Sequence, residues 1–256
     1  MASGNLNGYQ GTPPIPRCTE PAGSSSVPPL PIQPRRHHEP PMPTLTLLSY
    51  WRSSSSYRVR LALALKGLDY ELKPVNLLRG DQHSSTHKRL SPMGFVPCLV
   101  INGEPFVESV ALIELLEELH PIPALLPRTP HDRARVRALV EIVNAGTQPL
   151  QNLSILDHLS KDRDVRNAWS RHFIARGLEA FETMMQSNES SGTRGRYAFG
   201  DVPTIADCYL VPQVYNARRF EVALKSYPRL AAAADALLSI DAVRKAIPEN
   251  QPDAVM

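Results

Sequence analysis

A chain of 256 residues, 42% hydrophobic and 21% charged, is long enough to bury one large core or two modest ones. Its formal charge of +3 is too small to suggest a nucleic-acid surface, and no nucleic-acid partner is expected. Three cysteines, Cys18, Cys98 and Cys208, are odd in number and lack any C-x-x-C or His/Cys ligand spacing, which argues against a disulfide framework and against a metal site.

Residues 1–43 hold eleven of the 25 prolines together with "GSSS" and "RRHH", and show neither helical nor strand periodicity. Such a segment buries too little apolar surface to offset its ordering entropy, so a disordered Pro-rich extension is expected. A mitochondrial presequence is the alternative; only Arg17, Arg35 and Arg36 support it, and no amphipathic stretch does. No run of 18 apolar residues occurs and no apolar leader is present, so neither a membrane span nor a secretory signal is read, and a cytoplasmic location is expected.

From residue 44 the pattern changes. "TLTLLSY" alternates as a strand, four serines follow, and "RVRLALALKG" reads as a helix closed by Gly67. "YELKPVNL" supplies a second strand, which makes a right-handed β-α-β unit with parallel strands. "FVPCLVING", the turn pair Asn102-Gly103, "EPFVES" and the helix "VALIELLEELHP" complete the element order of a thioredoxin-like sheet over 44–124. Pro121, Pro123, Pro127 and Pro130 form a linker, and residues 131–250 carry helical patterns broken by "SNESSGTRGR". The fold class read is α/β followed by all-α. Within the helical part, Thr204 and Asp207 form a capping box ahead of an apolar run, a folding signal rather than a chemical one.

Ser53 to Ser56 admit two readings. One serine suffices to cap the helix, contributing about 1 kcal/mol. The same loop, at the end of a strand and the start of a helix, also presents free amides and the positive end of a dipole, and a hydroxyl there would favour a bound thiolate. Spacing alone leaves the two level. Three further features bear on them. Val96-Pro97 would free the Val96 backbone for a peptide-like ligand if its bond were cis. Glu108 and Ser109 precede a helix and could receive an α-amino and an α-carboxylate. The third is the order of these pieces along one sheet.

On "SYWRSSSSYRVRLALALKGLDYE", "SPMGFVP", "ESVALIELLEELHP", "TQPLQNLSIL" and "TIADCYLVPQVYNARRF", spanning about Leu45 to Tyr227, the chain resembles the zeta-class glutathione transferases. The resemblance implies a glutathione-transferase fold, an N-terminal thioredoxin-like domain followed by a C-terminal helical one, glutathione as cofactor and a homodimer. It implies cis-trans isomerisation of a small-molecule diacid, maleylacetoacetate to fumarylacetoacetate, in aromatic amino-acid breakdown. Ser53, with Ser54 beside it, is the implied thiolate partner. The implied glutathione-binding set runs on through Ser55, Ser56, Tyr57 and Arg58 to Gln82, Val96, Pro97, Glu108 and Ser109. Gln148, Asn152, Leu153 and Ser154 match the helical side of the pocket, and Arg52, Arg58 and Arg219 are the substrate-carboxylate candidates. Arginine suits that work because its planar fork pairs with carboxylates and stays charged. For Arg58 and Arg60 a solvated first helical turn is the competing expectation.

This chain departs from the family at Ser55, where the usual pattern has a cysteine, and at Gly94-Phe95, which makes that wall more apolar. A borrowed nucleophile removes the need for a protein thiol. Other uses of the same site stay open, namely a transferase acting on small α-halo acids or an isomerase of a specialised pathway. A non-catalytic interaction module is the distant alternative, against which the intact Ser53, Val96-Pro97 and Glu108-Ser109 set stands.

Overall fold

Alternation sets the first strand, β1 (Leu45–Ser49): Leu45, Leu47 and Ser49 are buried while Thr46 and Leu48 are less so. The computed structural model describes residues 44–255, so the disorder expected of 1–43 lies outside the described residues. Helix α1 (Ser54–Lys66) follows, capped by Ser53 and ended by Gly67 at φ 65°, whose N–H satisfies the Ala64 carbonyl. β2 (Glu71–Pro74) pairs parallel to β1, with Leu47 opposite Leu72. The short helix α2 (Ser85–Leu90), absent from the sequence reading, precedes β3 (Cys98–Ile101), which is antiparallel to β1, and β4 (Glu104–Val107) pairs antiparallel to β3. The sheet order is β2-β1-β3-β4, and α3 (Ser109–Leu119) packs beside α1. The thioredoxin-like order expected from the sequence is the one observed.

The remaining helices are α4 (Pro130–Asn144), α5 (Leu153–Leu159), α6 (Arg163–Asn188), α7 (Ile205–Arg219), α8 (Pro228–Leu238) and α9 (Asp241–Arg244). Helix α7 is buried along nearly its whole length and contacts α1, α4, α6 and α8. The main apolar cluster runs from Leu47 and Leu61 through Leu139 and Phe181 to Leu210 and Leu237, so the sheet half and the helical half share an interior, and a smaller cluster of Tyr50, Trp51, Val75 and Val96 lies apart from it.

A buried ion pair stitches the connection between them. Lys66 Nζ lies 2.7 Å from Glu117 Oε2 and donates to the carbonyls of His120 and Pro123, while Glu117 accepts from the amides of Leu125 and Leu126. Each charge is surrounded by groups of the other polarity, the condition under which a buried pair is tolerated.

The expectation of a solvated first turn for Arg58 and Arg60 is corrected: both are fully buried. Arg60 donates to Ser49 Oγ, the Trp51 carbonyl and the Ala246 carbonyl, tying the end of β1 to the C-terminal segment. Helix α1 lies between the sheet and α7, so residues that would be wet on a surface helix face protein on every side.

Candidate active site

The N-terminus of α1 opens into a cleft of about 650 Å³ between the sheet edge and the helical half. Ser53, at φ −69° and ψ 119°, caps the helix, its Oγ accepting from the Ser56 amide at 3.2 Å. Accepting one bond leaves its hydroxyl hydrogen to donate into the cleft. The amides of Ser54 and Ser55 have no intrahelical acceptor, and no acidic residue occupies the first turn, so the terminus keeps its positive character. Ser54 and Ser55 line the same cleft, and Ser54 Oγ accepts from Asn216 Nδ2 at 2.8 Å.

A second helix N-terminus converges on the same space. Glu108 sits at φ 69°, a backbone region that L side chains rarely adopt and that costs of order 1 kcal/mol or more. It turns the chain from β4 into α3 without capping it, so Glu108 and Ser109 face the cleft beside uncapped first-turn amides. Behind Ser109 stands Arg58, whose Nη1 donates to Ser109 Oγ at 3.1 Å and Asn144 Oδ1 at 3.2 Å, with its guanidinium 4.4 Å from the Tyr209 ring. Burial pushes the Arg58 pKa down to about 10. Among the described residues its Nε and Nη2 have no partner and no carboxylate lies within ion-pair distance of it. An uncompensated cation in the interior favours an anion nearby.

The third wall is the loop entering β3. The Val96–Pro97 bond is cis, and both residues line the cleft. The preceding Phe95 carbonyl accepts from His87 Nε2 and from Ser91 Oγ, each at 2.9 Å, while the Phe95 amide donates back to Ser91. Gly94 is at φ 68°, where a side chain would meet the Gln82 carbonyl at 3.0 Å, so this approach requires glycine. Gln82 reaches the cleft with its Oε1 buried and unpartnered.

The helical half closes the fourth side. The turn Gln148–Gln151 leads to Asn152, with Gln148 Nε2 donating to Asn152 Oδ1 at 2.6 Å, and Leu153 and Ser154 stand exposed at the rim. Arg219 ends α7 at the mouth, near Arg52 from the α1 loop. Partial burial, then the Arg52 charge, pushes the Arg219 pKa down. Neither has a carboxylate partner among the described residues, whereas the nearby Asp157 is paired with Arg166. The mouth is therefore cationic.

Two residues of the expected set do not belong to this cleft. Ser56 is fully buried with an unpartnered hydroxyl, and Tyr57 packs edge-on to Tyr215 with centroids 6.3 Å apart. The helical turn carries both away from the face shared by Ser54 and Arg58, four residues apart. The other expected residues line the cleft together. Cleft residues that the sequence reading missed include Asn144, Gln151 and Asn216. Asn216 lies three positions before Arg219 on α7, a helical spacing that puts the two on one face and could have found it; Asn144 carries no such signal. No thiol faces the cleft among the described residues: Cys98 and Cys208 are buried, and burial pushes Cys98 up to about 11 and Cys208 higher.

Residues 52–119 match the family described as glutathione S-transferase, N-terminal domain. A probable maleylacetoacetate isomerase 2 of Drosophila melanogaster is 46% identical over 209 residues, covering 81% of this chain and 89% of the relative. The holo structure of a bacterial maleyl pyruvate isomerase, described as a zeta-class glutathione S-transferase, aligns with a TM-score of 0.79 at 43% identity, over 82% of this chain and all of that one. The structure of a maleylacetoacetate isomerase from Anaeromyxobacter dehalogenans, with glutathione bound in its active site, aligns with a TM-score of 0.75 at 50% identity, over 83% of this chain and 99% of that one.

Proposed function

The chain belongs to the zeta class of glutathione transferases, and on that premise we propose that it is a glutathione-dependent cis-trans isomerase converting maleylacetoacetate to fumarylacetoacetate. The carrying observation is the α1 terminus: a serine hydroxyl with an unspent proton and two free amides, facing a cleft into which no thiol of the described residues opens. Such a site is shaped to hold another molecule's thiolate.

The residues present fit glutathione. The buried, unpartnered Gln82 Oε1 and the unpartnered nitrogens of Arg58 are groups a bound peptide with a free carboxylate would satisfy. The Val96 backbone would hold the cysteinyl unit, and Glu108 and Ser109 the α-amino and α-carboxylate of the γ-glutamyl unit. When bound, glutathione supplies the nucleophile for the double bond and is regenerated. Ser53 would donate to its sulfur and favour the charged form. Arg52 and Arg219 receive the carboxylates of the diacid, and they and the α1 terminus stabilise the negative charge that develops on it.

Maleylpyruvate is the second substrate to weigh, because Ser55 stands where the family has cysteine and because the likeness to a maleyl pyruvate isomerase is of the same order. A cytoplasmic homodimer is the setting the family implies. No helix among the described residues is long and apolar enough to cross a membrane.

Titration with glutathione, followed by thermal unfolding, tests the class: millimolar ligand should raise the transition temperature, and no shift would count against it. Following loss of maleylacetoacetate and of maleylpyruvate, each with and without glutathione, assigns the substrate. Glutathione-independent turnover would sink the mechanism. Light scattering should return twice the chain mass.

A further inference from the structure

A chain of amide groups behind the serine loop has a polarity set by the backbone. The Thr147 carbonyl can only accept, and it accepts from the Gln151 side chain at 3.1 Å, which identifies that atom as Nε2. Gln151 therefore presents Oε1 to Asn216, and the Asn216 atom 3.1 Å away must be Nδ2. The same Nδ2 lies 2.8 Å from Ser54 Oγ, so Ser54 accepts there and its hydroxyl proton is left to donate elsewhere. Ser54 lines the cleft at the start of α1. Thr147 is itself fixed, its hydroxyl bonded to the Ile142 carbonyl at 2.7 Å and its side chain pressed against Gly177. Asn216 is buried, while Ser54 and Gln151, half-buried, face the cleft.

We infer that Asn216 is a positioning residue: by donating to Ser54 it turns the Ser54 hydroxyl into a second hydrogen-bond donor, beside Ser53, for an anionic sulfur in the cleft. The inference rests on the glutathione reading. It assigns the helical half a direct part in activating the nucleophile, because the residue that orients Ser54 lies 162 positions away along the chain.

The test reads the thiol pKa of bound glutathione from the thiolate absorbance across a pH series, in the full-length protein. Asn216→Asp is nearly isosteric and reverses the polarity, so that Ser54 donates to the new carboxylate and turns from the cleft. The bound thiol pKa should rise by about one unit, the effect of one hydrogen bond to a charged group, while the KM for glutathione changes less than kcat. Asn216→Ala removes the donor without adding charge and should move the pKa in the same direction. It also answers if Asn216→Asp fails to fold. In a Ser54→Ala background Asn216→Ala should add no shift, whereas Asn216→Asp keeps only the effect of its added charge. Apart from the carboxylate that Asn216→Asp introduces, the charged and titratable side chains around the cleft stay the same in every variant: Tyr50, Arg52 and Arg58 at the α1 loop, Arg79 and His83 after β2, Glu108 before α3, and Asp157 and Arg219 on the helical side.

An unchanged thiol pKa in both Asn216 variants would overturn the inference, as would an Asn216→Ala shift that persists in full without the Ser54 hydroxyl, since that would be an effect of packing alone. Failure of the wild-type protein to bind glutathione, read separately by thermal unfolding, would overturn the reading on which the inference rests.

Discussion

Helices α1 and α7 both begin with a hydroxyl residue at the cap, and they do opposite things with it. At α7 the donors are taken up locally: Asp207 accepts from the amides of Ala198 and Thr204, each at 2.8 Å, and from the Thr204 hydroxyl at 3.0 Å, while the Ile205 amide donates to the Leu125 carbonyl at 2.9 Å. Its carboxylate also lies where it offsets the helix dipole. At α1 there is no acidic residue in the first turn, and the Ser53 hydroxyl proton and two amides remain unspent in front of a cavity. A capped helix start becomes a site when its donors exceed its local acceptors and the surplus faces open space.

Breaking the closed terminus should have the largest effect. Asp207→Ala orphans buried amides at about 1–3 kcal/mol each, so a loss of roughly 3–5 kcal/mol is expected in chemical denaturation. Activity per folded molecule should not change, because Asp207 is absent from the cleft. A fall in activity at full folding would mean that the two termini are coupled.

The same carboxylate gives a pH signature. Burial outweighs its hydrogen bonds and pushes Asp207 up to about 6, from an ordinary value of about 3.9. The protonated form is thus favoured on folding, and this contribution to stability, full below pH ~3.9, is lost as pH rises past about 6. Asp207→Asn cannot ionise. Its stability relative to the wild type should improve by up to about 3 kcal/mol between pH 4 and pH 7, and a pH-independent difference would refute the assignment.

At the open terminus the cap and the chemistry separate. Ser53→Ala should lose about 1 kcal/mol of stability as a cap, and Ser53→Gly only a few tenths. Both should lose activity equally, by roughly 10- to 100-fold, since each lacks the donor to the sulfur. Activities that track stability instead would reduce Ser53 to a cap. The smallest effect is expected at Ser55, whose side chain lines the cleft without a hydrogen bond that other residues depend on. Ser55→Cys should change stability by less than about 0.5 kcal/mol, and any change in the ratio of the two substrate rates would show that this position selects between them.

The legible features were those written over short spans. Alternation in "TLTLLS", the glycine after α1 and the Thr204–Asp207 box act through neighbours within four residues, and each appears where the sequence places it; the serines, Val96-Pro97 and Glu108-Ser109 were legible from the order of the elements that carry them. Ser56 and Tyr57 stood in the expected set, and the turn of the helix faces them away from the cleft. What only the tertiary structure decided are the long-range pairings: Arg58 behind Ser109, Arg60 against Ala246, and Asn216 on Ser54. A residue's helix can be read from its neighbours. Whether its exposed-looking charge meets water, a cavity or another helix depends on packing against segments far along the chain, and for α1 that partner is α7, the most deeply enclosed helix of the other half.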